Sequence, residues 1–109
     1  MKNLILLPFF LAAVGCSSTH HIDEKYGIEI VSIGTKGDTR HIKFNKVTGE
    51  TWWSDNVVWK EIRDNKSIPK SQYVVKIIST GSSWRALRID TVSGKTWKNS
   101  KGNWIPFKQ

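Results

Sequence analysis

One eight-residue stretch occurs twice in the chain, as Asn45-Lys46-Val47-Thr48-Gly49-Glu50-Thr51-Trp52 and as Asp90-Thr91-Val92-Ser93-Gly94-Lys95-Thr96-Trp97. Both copies fit Asp/Asn-x-x-Thr/Ser-Gly-x-x-Trp, and the offset between them is 45 residues. Upstream, Tyr26-Gly27-Ile28-Glu29-Ile30-Val31 aligns with Tyr73-Val74-Val75-Lys76-Ile77-Ile78 at an offset of 47, so the first copy carries two extra residues near Lys36-Gly37-Asp38-Thr39. An insertion confined to a turn is what a true repeat tolerates. The chain is therefore expected to fold as two copies of one small unit, residues 26–64 and 73–109.

Within each copy the apolar period is two. Ile28 and Ile30 fall on one face of an extended segment, as do Val75 and Ile77. Ile42 and Phe44 share a face with Lys43 between them, and Leu87 and Ile89 do the same around Arg88. Such alternation marks half-buried strands, with the intervening cations facing solvent. Val57-Val58-Trp59-Lys60-Glu61-Ile62 and Asn103-Trp104-Ile105-Pro106-Phe107 supply a further strand in each copy. Pro106 cannot donate to a ladder, which places that strand at an edge or turns the proline's missing donor outward. Residues 65–72, with Pro69, read as the linker. The expected fold is all-β: two antiparallel meanders of three or four short strands forming a small sandwich or barrel.

The repeated stretch then has a mechanical role. Asn45 or Asp90 ends a strand, and its side-chain oxygen can accept backbone N–H groups just ahead, fixing the turn. Gly49 or Gly94 supplies the positive φ that closes a four-residue loop, and Trp52 or Trp97 packs across the hairpin from the returning strand.

Charge is distributed unevenly. Residues 16–64 hold seven Lys/Arg against eight Asp/Glu, whereas residues 65–109 hold nine Lys/Arg and only Asp90. A basic surface on the second half is expected, suited to anionic polymers. At the N-terminus, Lys2 precedes an uninterrupted apolar run from Leu4 to Val14. Its eleven residues match a signal-peptide core and fall short of the roughly 20 that a membrane span requires.

That run ends in Ala13-Val14-Gly15-Cys16, followed by Ser17, and Cys16 is the only cysteine. The pattern resembles the lipobox of bacterial lipoprotein precursors. The resemblance implies removal of residues 1–15, acylation of Cys16 and a lipidated polar tether over residues 16–25. With Ser17 where inner-membrane retention uses Asp, it also implies the outer membrane, so the lipid bilayer is one expected partner and nucleic acid is not.

The twin stretch itself resembles the tryptophan-docking motif of quinoprotein-type β-propeller blades, with Asn45 and Ser93 departing from its commonest letters. The resemblance carries a structural role for Trp52 and Trp97; two meanders cannot close a propeller of about four or more blades unless copies assemble between chains. Trp97-Lys98-Asn99-Ser100-Lys101-Gly102-Asn103-Trp104 also resembles the Trp-x4-Gly-x-Trp spacing of choline-binding cell-wall repeats, although Val57 replaces the glycine in the first copy.

No spacing points to catalysis, to a metal or to a cofactor. His20 and His21 sit in the tether, His41 alternates on the side of Lys43, and the acid pairs Glu50/Asp55 and Glu61/Asp64 look like hairpin charges. A binding role must come from the six tryptophans. Trp52, Trp59, Trp97 and Trp104 form matched pairs and are expected in the core. Trp53 and Trp84 have no counterpart and, with Arg85, Lys98 and Lys101, are the expected contact residues. The functional expectation is a non-enzymatic envelope lipoprotein that binds an envelope protein or anionic envelope polymer, or an exclusion or inhibitor lipoprotein of phage or plasmid type. Self-association through the opposed charges of its halves is a further expectation.

Overall fold

A computed structural model describes residues 24–108. The expected signal peptide, Cys16 and the part of the expected tether before Glu24 lie outside the described residues. Eight strands follow in order: β1 (Tyr26–Ile33), β2 (Asp38–Asn45), β3 (Thr51–Asp55), β4 (Val58–Asp64), β5 (Tyr73–Ser79), β6 (Trp84–Asp90), β7 (Thr96–Ser100) and β8 (Asn103–Pro106). They form one sheet in the order β1-β2-β3-β4-β8-β7-β6-β5, curled so that β1 approaches β5 in a nearly closed barrel. At that seam the Gly34 N–H donates to the Gly81 carbonyl at 2.6 Å.

Each repeat is a four-stranded antiparallel meander, and the two meet where β4 pairs with β8 in parallel, Arg63 opposite Asn103 and Asp64 opposite Trp104. This junction explains how Pro106 is accommodated. β8 is an interior strand, but its ladder with β4 stops at Trp104, so the missing proline donor is not required there.

The parallel junction has a geometric consequence. Laying two copies of a meander side by side with their equivalent last strands parallel turns one copy over, so equivalent residues face opposite sides of the sheet. Ile42, Phe44 and Ile62 of the first repeat are buried with Tyr73, Val75, Ile77, Ala86, Trp97 and Trp104 of the second. Val75 and Ile77 thus point inward, whereas their counterparts Ile28 and Ile30 are exposed. Ile42 and Phe44 point inward, whereas Leu87 and Ile89 are exposed. The sequence-based expectation for Arg88 is reversed: it lies inside, with 0% of its surface accessible.

Arg88 is held through its two terminal nitrogens, while its buried Nε has no hydrogen-bond partner among the described residues. Its Nη2 donates to Asp64 Oδ1 at 2.6 Å, and its Nη1 donates to Asp64 Oδ2 at 3.1 Å and to the Gly49 carbonyl at 3.0 Å. The guanidinium carbon lies 4.3 Å from the Trp97 ring centre, 4.9 Å from Trp104 and 5.7 Å from Tyr73. A buried cation is tolerable only with such pairing, and a planar fork between aromatic faces suits arginine. Because Asp64 and Gly49 belong to the first repeat, this one side chain joins the two halves.

The counterpart cation tests that account. Arg88→Ala, which strands a largely buried Asp64, should lower unfolding free energy by about 3–5 kcal/mol. Lys43→Ala, at the equivalent but outward position, should cost about 1 kcal/mol or less. Urea denaturation of both variants distinguishes them, and equal losses would contradict the inverted arrangement.

Candidate functional site

The two unmatched tryptophans meet. Trp53 on β3 and Trp84 at the start of β6 lie with ring centres 5.7 Å apart and planes inclined at 45°. Both are half-buried, packed against the edge of the core. The expectation of an exposed Trp84 is thereby modified, since one face of the ring supports the fold. Each arises from alternation on strands that face each other across the barrel, Trp53 on the inward side of β3 beside Ile42 and Trp84 on the inward side of β6.

They form the floor of an open cleft of about 760 Å³, whose lining also includes Lys60, Glu61, Arg63, Ser83, Asn99, Lys101 and Gly102. Lys60 Nζ stands 5.7 Å from the centre of the Trp53 ring. Lys101 occupies the left-handed backbone region with φ 52° beside Gly102 at 82°, the conformation of a two-residue hairpin turn between β7 and β8. Lys101 is exposed on that turn and lines the cleft. Residues bearing three cations and one carboxylate thus line the cleft together with the two tryptophans, Glu61 and Arg63 flanking the inward Ile62 on β4. Asn99 Oδ1 is buried and receives no hydrogen bond within the protein, leaving an acceptor in the cleft wall.

Of the residues singled out from the sequence, Trp53, Trp84 and Lys101 are brought together here. Arg85 and Lys98 are not: they lie on the opposite, outward surface of the second repeat, beside a separate groove of about 570 Å³. Lys60, Arg63 and Asn99 were missed. The signal for Arg63 and Lys101 was the junction itself, because a parallel β4–β8 pairing sets the turn before Asn103 against the end of β4.

The twin turns behave as the sequence implies. Asn45 Oδ1 accepts the Val47 and Thr48 N–H groups at 2.9 and 3.0 Å, and Asp90 Oδ1 accepts those of Val92 and Ser93 at 3.0 and 3.2 Å. Gly49 and Gly94 have φ of 81° and 83°. Thr51 and Thr96 hydroxyls donate to the carbonyls of these glycines. The linker stitches the two turns together: Ser71 N–H donates to the Val47 carbonyl, and the Ser71 hydroxyl donates to Asp90 at 2.6 Å. Trp97 and Trp104 are core residues as expected, with Trp104 1% accessible, but Trp52 is only half-buried and Trp59 is 40% exposed.

His41 is half-buried, its Nδ1 2.9 Å from Ser54 Oγ and its Nε2 3.4 Å from Thr39 Oγ1. A Ser–His contact needs an orienting third group to make a nucleophile, and here the ring's other nitrogen meets a hydroxyl. Among the described residues, three or more His, Cys, Asp or Glu side chains nowhere converge as a metal site would require. Comparison with protein-family models, characterised proteins and solved structures finds no match to the chain.

The hydrogen bond from Ser71, backed by the Val92 and Ser93 N–H groups, holds the Asp90 carboxyl at about 2 against an ordinary 3.8, with burial opposing. A depressed carboxyl contributes stability that is complete above about pH 4 and is lost as pH falls toward the folded value. Asp90→Asn keeps the turn, as Asn45 does in the first repeat, but removes this linkage. The urea midpoint of the variant should fall less steeply than that of the parent between about pH 4 and 2; parallel profiles would show that the Ser71 contact does not act on the ionised form.

Proposed function

We propose that the chain is a non-enzymatic lipoprotein of the outer membrane whose β domain binds an anionic envelope polymer, such as a phosphate-bearing glycolipid, in the Trp53–Trp84 cleft. The single observation that carries this reading is the convergence of the two unmatched tryptophans beneath Arg63, Lys60 and Lys101. Indole faces take up sugar rings by stacking, and cations at a rim take up phosphates. The lipobox at Cys16 supports the location, because an acylated protein would be held permanently beside such polymers.

Charge reversal tests the cleft without touching its floor. The double variant Arg63→Glu/Lys101→Glu should reduce retention on an isolated envelope fraction about tenfold at physiological salt, with parent retention falling likewise as salt is raised. Lys66→Glu, away from the cleft, serves as control. The measurement uses residues 16–109 with Cys16→Ser, so that neither an acyl anchor nor the apolar run Leu4–Val14 contributes. Retention unchanged by the double variant would remove the cleft as the binding surface.

A further inference from the structure

Turning one repeat over leaves the same four-residue arrangement in two very different settings. In the second repeat, Tyr73, Trp97 and Trp104 surround Arg88 inside the barrel, with Tyr73 and Trp97 ring centres 6.2 Å apart. At the equivalent positions of the first repeat, Tyr26 and Trp52 are 6.5 Å apart, and Lys43 Nζ stands 5.0 Å from the Trp52 ring and 4.7 Å from Trp59. The internal copy is roofed by Ile42, Phe44 and Ile62. Among the described residues nothing roofs the external copy: Tyr26 is 55% exposed, and Ile28 and Ile30 flank it on the surface.

The roof also exists in a second, bare copy. The counterparts of Ile42, Phe44 and Ile62 are Leu87, Ile89 and Phe107, and all three are exposed, Leu87 at 46% and Ile89 at 37%. Gly49 and Gly94 make the same comparison at atomic distance. A Cβ on Gly49 would sit 3.2 Å from the Tyr73 ring, whereas Gly94, with nearly the same φ and the same hydrogen-bonded turn, has nothing within 4 Å. The outer face of the second repeat is, moreover, concave, with a groove of about 570 Å³ bordered by Ile78, Leu87 and Phe107.

We propose that copies of this protein associate head to tail, the Tyr26/Lys43/Trp52/Trp59 face of one seating on the Leu87/Ile89/Phe107 face of the next. The contact repeats between chains the one that joins the two repeats within a chain. Its occupant is a second copy because the chain itself displays Leu87, Ile89 and Phe107, the counterparts of the internal Ile42, Phe44 and Ile62. Gln109 stands at the position equivalent to Asp64, so the apolar part of the contact is repeated without the ion pair. The interface is heterologous, so it generates a ring where the rotation closes and a filament where it does not. It does not involve the Trp53–Trp84 cleft, and the two proposals fail separately.

Sedimentation velocity of residues 16–109 carrying Cys16→Ser, free of the apolar run Leu4–Val14 and of any native thiol, tests this. The expected result is a concentration-dependent species larger than the monomer, weakened at least tenfold by Leu87→Arg/Ile89→Arg, two exposed positions whose replacement leaves the far-ultraviolet circular dichroism unchanged. Two single-cysteine chains, Tyr26→Cys and Lys95→Cys, the latter at an exposed position beside Gly94, give a disulfide dimer when mixed and none separately. A monomer at every concentration, undiminished assembly of the arginine variant, or equal cross-linking of either cysteine variant alone would overturn the proposal.

Discussion

The guanidinium of Arg88 sits at the centre of the molecule, and the relation of the two halves depends on what it touches. Its carboxylate partner Asp64 and its carbonyl partner Gly49 come from the first repeat, while Tyr73, Trp97 and Trp104 come from the second. Removing a charge from water is costly, and the cost is offset when the charge is paired and hydrogen-bonded, as Arg88 is through Nη1 and Nη2 though not through its buried Nε. That condition selects one docking of the repeats. Asp64 can reach Arg88 only if β4 runs parallel to β8 with Asp64 beside Trp104, as observed. The domain is small, and disulfides are closed to a chain with a single cysteine, so this polar centre and the large rings around it substitute for a deeper apolar core.

Parallel docking then fixes the surfaces. One meander shows the core the side that the other shows to solvent, which explains why matched tryptophans diverge in burial and why an exposed aromatic–cation cluster exists. The same docking sets the hairpin turn of Lys101 against the end of β4, creating the Trp53–Trp84 cleft. Both surfaces offered for binding are thus by-products of one inversion. They differ in character: the cleft is basic and open, whereas the unroofed face is aromatic and has its complement on the same chain.

Much of the fold was legible in the sequence. Alternation gave the strands and the all-β class, and the twin stretch gave the turns down to the acceptor roles of Asn45 and Asp90 and the left-handed glycines. What could not be read was which face of each strand is buried. A period of two defines two faces without ranking them, and Leu87-Arg88-Ile89 ranks them wrongly because hydropathy favours the leucine and isoleucine. The decision rests on a pairing between β4 and β8 that is remote in sequence and only two residues long. A cation retained among the same aromatic residues in both copies was the available signal. The cleft was half legible: Trp53, Trp84 and Lys101 stand out as unmatched or basic, but Arg85 and Lys98 point to the other surface for the same reason that Leu87 does.

The inversion is tested most directly by exchange of the indole N–H protons in the dilute monomer, followed by nuclear magnetic resonance. Trp97 and Trp104 should exchange orders of magnitude more slowly than their counterparts Trp52 and Trp59, with Trp104 slowest because its Nε1 is buried. Equal protection within each matched pair, or stronger protection of Trp59 than of Trp104, would contradict the account.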